Sequence, residues 1–369
     1  MKCNIICNFA PSKKHRMPDL NIPDIRRFEM LMEKAARCVV TTHTKPDGDA
    51  IGSCVAMYRF LKGMGKEEVK IVLSDRYPAN LGFIISDETA ADIIIHEKTP
   101  SEAEHAISGS DLIICLDFNA FHRTDRLEKS LASSSAHKVL VDHHLNPDRE
   151  SFGLMFSETE VSSASELLYH ILMLTGKTGG EVRNLPAGCA LAIMTGVTTD
   201  TNNFANSTYP STLRMTADLL EAGTDRDMII SELYNTQREN RIRLMGHALQ
   251  DLLKITEYGV AYMVLDESTL KRYDVQEGDT EGFVNMPLAV GSVRMSLLLK
   301  EEEGKVRVSI RSKKGTSANR CAGLYFNGGG HENAAGGKLY MPKDIRDISE
   351  AAAYIEKHTQ IFLNKEDEK

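Results

Sequence analysis

Residues 41–53 read TTHTKPDGDAIGS, which sets His43, Asp47 and Asp49 close together around a proline and a glycine. Spacings of four and two fit neither one helix face nor one side of a strand throughout, while Pro46 and Gly48 mark a loop. An imidazole and two carboxylates converging from a turn are what a divalent metal ion asks of a protein. Partners stand further along: Asp117 ends LIICLD, Asp142, His143 and His144 end KVLVDHH, and Asp200 follows LAIMTGVTT. Singly, each has a plainer reading. An Asp after a strand is most often an N-cap or turn former, and Asp75 at the end of KIVLSD is read as no more than that. A lone His in such a place is more often a surface group. Jointly, four segment ends carrying HxxxDxD, D, DHH and D are a rare coincidence. So many mixed O and N ligands exceed the needs of one ion, so two are inferred. Carboxylates with imidazole and no thiolate favour Mn2+, with Mg2+, Co2+ or Zn2+ left open. Two ions roughly 3.5–4 Å apart lower the pKa of a shared water and clamp phosphoryl oxygens during in-line attack, so no protein nucleophile is needed.

The elements that must carry these residues alternate in type over the first half of the chain. CVVTT (38–42), VKIVLSD (69–75), DLIICLDF (111–118) and HKVLVDHH (137–144) read as buried strands. Residues 50–65, 163–176 and 186–196 have helical spacing. That order predicts an α/β domain with a mainly parallel sheet, its polar groups gathered beyond the carboxyl ends of the strands. Residues 210–254 read as a helical connector. Strands at 259–266, 293–302 and 305–315 then build a smaller α/β domain, the last alternating Val306, Val308 and Ile310 with Arg307, Ser309 and Arg311. The glycine-rich run FNGGGHENAAGG (326–337) follows it. The expected organisation is a tail over 1–24, a metal-binding domain over 25–209, the connector, and a substrate-binding domain over 255–369, with the active-site cleft between the two domains.

Composition sets outer limits. At 369 residues the chain is long enough for two cores. No apolar run reaches the ~18 residues of a membrane span. The N-terminus lacks a leader's apolar region, which predicts a cytoplasmic protein with Met17 as an alternative start. Seven scattered cysteines with no CxxC pair fit a reducing compartment. Cys3, Cys7 and His15 form a conceivable zinc set, but a plain tail is the favoured reading. A net charge of −8 argues against coating long duplex nucleic acid, though not against a short anionic substrate.

In their order, HTKPDGDAIGS, Asp117, VDHH and GVTTDTNNF resemble the four motifs of the DHH phosphoesterase superfamily, and SIRSKKG with NGGGHENAAGG resembles its DHH-associated substrate-binding domain. The likeness covers roughly residues 25–345 and is nearest to the bacterial oligoribonucleases that also act as 3′-phosphoadenosine 5′-phosphate (pAp) phosphatases. It implies hydrolysis of short single-stranded oligoribonucleotides or linear dinucleotides such as pApA, and of pAp to AMP and phosphate. It further implies that His43 and Asp47 bind one metal, Asp49 and His143 the other, that Asp117 bridges both and that Asp200 completes the second site. His144 would face the substrate phosphate, with Asp142 orienting its neighbours. Arg311, Asn319, Gly328, Gly329, Gly330 and His331 would hold substrate. Two departures bear on nucleotide choice: Asn327 stands where a fourth glycine is common, and TSAN (316–319) replaces an Asp-containing turn. A pyrophosphatase or polyphosphatase of the same superfamily, and a catalytically silent nucleotide-binding protein, are the competing readings. A homodimer is left open.

Overall fold

A computed structural model of the chain describes residues 20–367. Two compact units result, the first running to Asn235 and the second beginning at Thr236. That division falls within the helical segment read as a connector. The candidate zinc set Cys3, Cys7 and His15 lies outside the described residues.

The first unit is built on a six-stranded sheet of order β3-β2-β1-β4-β5-β6. Its strands are β1 Arg37–Thr41, β2 Glu68–Leu73, β3 Ile93–Ile95, β4 Leu112–Leu116, β5 His137–Asp142 and β6 Leu154–Ser157. Every pairing between them is parallel. Such a sheet is covered on both faces, which is why its strands read as near-continuous apolar runs. Alternate residues feed opposite cores: Val40, Ile71, Ile114 and Val139 pack in one, with the helices Gly48–Gly63 and Ala164–Met173. Val39, Val72, Ile113 and Leu140 pack in the other, with the helix Pro100–Ser108. The strand order reverses between β1 and β4, and in open α/β sheets ligands bind at that crevice, beyond the carboxyl ends of the strands.

The second unit holds a six-stranded sheet of order β11-β12-β10-β9-β8-β7. Its strands are β7 Lys254–Ile255, β8 Val260–Leu265, β9 Met295–Glu302, β10 Lys305–Ser312, β11 Gly329–Gly330 and β12 Ala334–Tyr340. Only β8 and β9 run parallel. The alternation read in residues 305–315 is seen in β10, where Val306, Val308 and Ile310 are buried and the residues between them half-buried. These side chains meet the helices Ala318–Tyr325 and Ala351–Asp367 through Ala322, Ile355 and Phe362. Among the described residues no helix is long and apolar enough to cross a membrane.

Residues 326–337 stand out in the sequence only as a glycine-rich run, whereas β11 and most of β12 lie there. Strands of glycine and alanine carry no apolar alternation to betray them. β3 and β6 have no counterpart in the sequence reading either, because three or four residues are too few for a period-2 pattern to stand out.

Candidate metal centre

His43 follows β1 and Asp117 follows β4, so both leave the sheet at its switch point. His43 Nδ1 lies 2.8 Å from the carbonyl oxygen of Thr44, which aims the ring, and its Nε2 is 3.4 Å from Asp117 Oδ2. Asp47 is the N-cap of the helix Gly48–Gly63; its Oδ1 accepts from the backbone N–H of Asp49 and Ala50 at 3.1 Å each. Asp49 sits inside the first turn of that helix rather than in the loop proper, and is 1% exposed. Both its oxygens are anchored: Oδ2 accepts from Ala164 N at 2.7 Å and Oδ1 from Ser165 N at 2.9 Å. These donors open the helix Ala164–Met173, whose N-terminus favours a negative charge. Bonds to a charged acceptor contribute about 1.5–3 kcal/mol each.

His143 Nε2 stands 3.4 Å from Asp117 Oδ1, 3.6 Å from Asp200 Oδ2 and 3.9 Å from Asp49 Oδ2. His144 pairs instead with Asp142, Nδ1 to Oδ1 at 2.7 Å, and its backbone N–H donates to the other oxygen of that carboxylate at 3.2 Å. Asp200 arrives differently from the expectation that all these groups line one sheet edge. It ends the helix Cys189–Asp200, which packs beside Gly48–Gly63, and its side chain is 29% exposed. The apolar run LAIMTGVTT wraps round a buried helix that continues past Gly196, rather than leading into a turn there.

Two groups of candidate ligands emerge, His43 with Asp47 and Asp117, and Asp49 with Asp117 and His143, each with donor atoms within 4.8 Å of one another. Asp117 belongs to both. A third such group, Asp117 with Asp142 and His144, contains the tight His144–Asp142 pair. Asp117 Oδ1 is buried with no hydrogen-bond partner, and the residue holds a left-handed backbone, φ +63°. A buried acceptor left unmade is costly; with imidazole and carboxylate around it and no thiolate, it fits a hard or borderline divalent ion.

Without an ion, the histidines serve as counter-charges. Burial works against a charged His143, yet the Asp117 carboxylate 3.4 Å away and the nearby Asp200 carboxylate push its pKa up to about 10. His43 is raised as well, burial being outweighed by Asp117 and Asp47. Asp117 is held well below the usual carboxylate range, its burial overcome by His143 and His43. Asp49 goes the other way, raised by burial and by the charges of Asp117 and Asp200.

Two residues that shape the centre are not found by sequence reasoning. Asp75, read as an ordinary strand end, accepts through Oδ2 from the Thr44 hydroxyl and, at 2.8 Å, from Lys45 N, where the chain takes φ +51°. It thus braces the loop that carries His43. Nothing in the sequence separates it from any other Asp after a strand. Glu166 lies beneath Asp49, and here a signal does exist: Ser163-Ala164-Ser165-Glu166 is a capping-box pattern.

In the second unit, Arg311 ends the buried alternation of β10 and its Nη1 donates to Ile310 O at 3.0 Å. Asn319 Nδ2 donates to the carbonyl of Gly330, and His331 turns the chain between β11 and β12, its N–H donating to Ala334 O at 2.7 Å. Packing alone explains two of the three glycines. A Cβ on Gly328 would lie 1.9 Å from Gly336 O, and one on Gly330, at φ +147°, 2.6 Å from Ala334 O. Gly329 faces open space. Asn327 holds φ +46° and donates to Lys338 O and Asp344 Oδ2 at 3.0 Å each, a left-handed position Asn tolerates where glycine is otherwise usual. Ser317 of the TSAN turn caps the following helix and hydrogen-bonds Glu332 at 2.9 Å.

Known proteins match this arrangement. The family model described as the DHH family, N-terminal domain, matches residues 37–197, and the DHHA1 domain matches residues 256–357. A bifunctional oligoribonuclease and PAP phosphatase NrnA of Thermus thermophilus is 32% identical, covering 87% of this chain and 92% of its own length. The protein of the same name from Bacillus subtilis is 27% identical over 82% of this chain and 89% of its own. Among solved structures, an exopolyphosphatase-related protein from Bacteroides fragilis superposes with a TM-score of 0.85 at 32% identity, covering 95% of this chain and all of that one.

Proposed function

This chain belongs to the DHH family, with a DHHA1 domain following, and on that premise we propose that it is a metal-dependent phosphoesterase that hydrolyses short oligoribonucleotides and linear dinucleotides to mononucleotides and pAp to AMP and phosphate. The observation that carries the metal part is Asp117, buried, without a hydrogen bond at Oδ1 and common to two ligand groups. In this reading His43, Asp47 and Asp117 hold one divalent ion, and Asp49, Asp117, His143 and Asp200 a second. The all-O/N donor set supports Mn2+, with Mg2+ or Co2+ as substitutes. Bound divalent ions supply Lewis acidity, drawing charge from phosphoryl oxygens and making water nucleophilic at neutral pH.

The chain's own groups do the rest. Asp142 bonds Nδ1 of His144 and so orients the ring that would face a phosphate oxygen or pass a proton to the leaving group. The helix N-terminus at Ala164 and Ser165 keeps Asp49 aimed, one backbone donor on each oxygen. In the second unit the amide of Gly329, with no neighbour above its Cα, suits close approach of an anion. Arg311, Asn319 and His331 would add donors there, alongside Gly328 and Gly330. Buried free thiols at Cys38, Cys54, Cys115, Cys189 and Cys321 accord with a cytoplasmic setting.

The likeness to an exopolyphosphatase-related protein keeps a second substrate class in view. Purified protein with Mn2+ is to be given pApA, pAp, pyrophosphate and polyphosphate side by side, with a chelator control. AMP from pApA and pAp, stopped by chelator, is the expected result. Phosphate from the inorganic substrates alone would transfer the protein to the second class.

A further inference from the structure

Glu166 is fully buried in the first turn of the helix Ala164–Met173, and the partners of its carboxylate are Ser162, Thr212 and His170, none of them a candidate ligand. Its Oε2 accepts from Ser162 N at 2.9 Å, Ser162 Oγ at 2.5 Å and Thr212 Oγ1 at 2.6 Å, and its Oε1 lies 3.4 Å from His170 Nε2. Burial alone would raise its pKa, but hydrogen bonds from His170, Ser162 and Thr212 bring it down to about 2, so the group is a carboxylate at any ordinary pH. Burying such a charge is expensive unless donors surround it. The donors here are informative. A Glu that merely completes a capping box bonds the N–H of the N-cap residue, which is Ser163. Glu166 reaches one residue further back, to both donors of Ser162, and across to Thr212 on the helix Pro210–Glu221. Its own N–H donates to Ser163 Oγ at 3.0 Å. The turn gripped in this way, 162–165, is wholly buried and carries the two N–H groups that hold the oxygens of Asp49.

We propose that Glu166 is a positioning residue for Asp49: by fixing the 162–165 turn against two helices, it sets the direction in which Asp49 offers its lone pairs to a divalent ion. The proposal rests on the two-ion reading above. It separates the two ligand groups, because no bond of this network reaches His43 or Asp47, whose supports are Thr44 O, Asp75 and the amides of Asp49 and Ala50.

The test is calorimetric titration of chelator-stripped, full-length protein with Mn2+, in wild type, E166Q and L172A, with thermal unfolding of each. Leu172 is buried on the same helix and bonds nothing at the turn. Wild type is expected to bind two ions. E166Q is expected to weaken one by about 10–100-fold, as loss of outer partners does, and to leave the other unchanged. L172A should lower Tm and keep both affinities. Wild-type affinity for both ions in E166Q would overturn the inference and leave the two-ion reading standing, whereas fewer than two ions in wild type would overturn that reading and the inference with it. Should E166Q not fold, T212V takes its place, with one-site weakening of about 10-fold expected and unchanged affinities overturning the proposal.

Discussion

Substituting alanine for Gly196 adds a single methyl at the point where the helix Cys189–Asp200 presses on the candidate site. The new Cβ would stand 2.1 Å from Ser165 Oγ and 2.9 Å from Asp49 Oδ1. Ser165 can turn its hydroxyl away but not its Cβ, which is also 2.9 Å off, and Asp49 is fixed by the N–H groups of Ala164 and Ser165, so the turn that holds Asp49 must move. Overpacking of this kind costs about 1–3 kcal/mol, and exchanging glycine for alanine within a helix returns about 1 kcal/mol. The metal-free variant should therefore lie about 0–2 kcal/mol below wild type, the difference of those two figures. With saturating Mn2+ the gap should widen, since each tenfold loss of affinity removes about 1.4 kcal/mol of ligand-linked stabilisation. Thermal unfolding of both proteins, with chelator and with Mn2+, reads the two gaps directly. A variant more stable than wild type, or a gap that metal leaves unchanged, would refute the claim that Gly196 is glycine for the sake of Asp49.

Replacement of Asp117 by Asn should weaken both ions by at least about 100-fold, the upper end of what loss of an outer partner costs, and abolish turnover; metal analysis and the pApA assay check it. Metal uptake should release protons, because His43 and His143 are raised in the metal-free chain. Titration in buffers of different ionisation heat measures that release, and apparent affinity should rise with pH. Stability of the chelated protein should move oppositely. His143, raised from 6.5 to about 10, contributes stability fully present below 6.5 and lost as pH rises through about 10. Asp49, raised above 3.8, contributes in the same sense from a lower pH. A urea series between pH 6 and 10 with chelator should show a falling midpoint. In the second unit, G329A should raise KM for pAp with Tm unchanged, whereas G328A should lower Tm, since only the latter meets backbone.

Which parts of this were legible depended on whether a residue's role is written in its own neighbourhood. His43, Asp47 and Asp49 announce themselves by density, and Asp117 and the Asp142–His144 run by ending buried apolar strands. The parallel sheet followed from the same strands, because burial on both faces erases polar alternation. Asp200 is found as a residue, but the helix read as far as Gly196 runs on to carry it, since a glycine at the end of an apolar run reads as a stop. Asp75 and Glu166 act on backbone N–H groups far away in sequence or hidden within a turn. An acceptor for such a donor can be any carboxylate in reach, so only coordinates select it. The glycine run was legible as composition but not as β11 and β12, whose close approach forbids the side chains that would mark a strand.

Asp117 has one more consequence, for how this protein can change over time. Its left-handed backbone is unfavourable for folding, but its carboxylate lies 3.4 Å from the Nε2 atoms of both His43 and His143 and is their counter-charge when metal is absent. Glycine there would relieve the first, about 1–2 kcal/mol, and strand the buried imidazoles, about 3–5 kcal/mol when one member of a buried pair is lost. D117G should thus be inert and, in chelator, less stable than wild type. A chain released from any demand for hydrolysis would still be held to a carboxylate here by its fold, so change at this position waits on prior loss of the histidines that it balances.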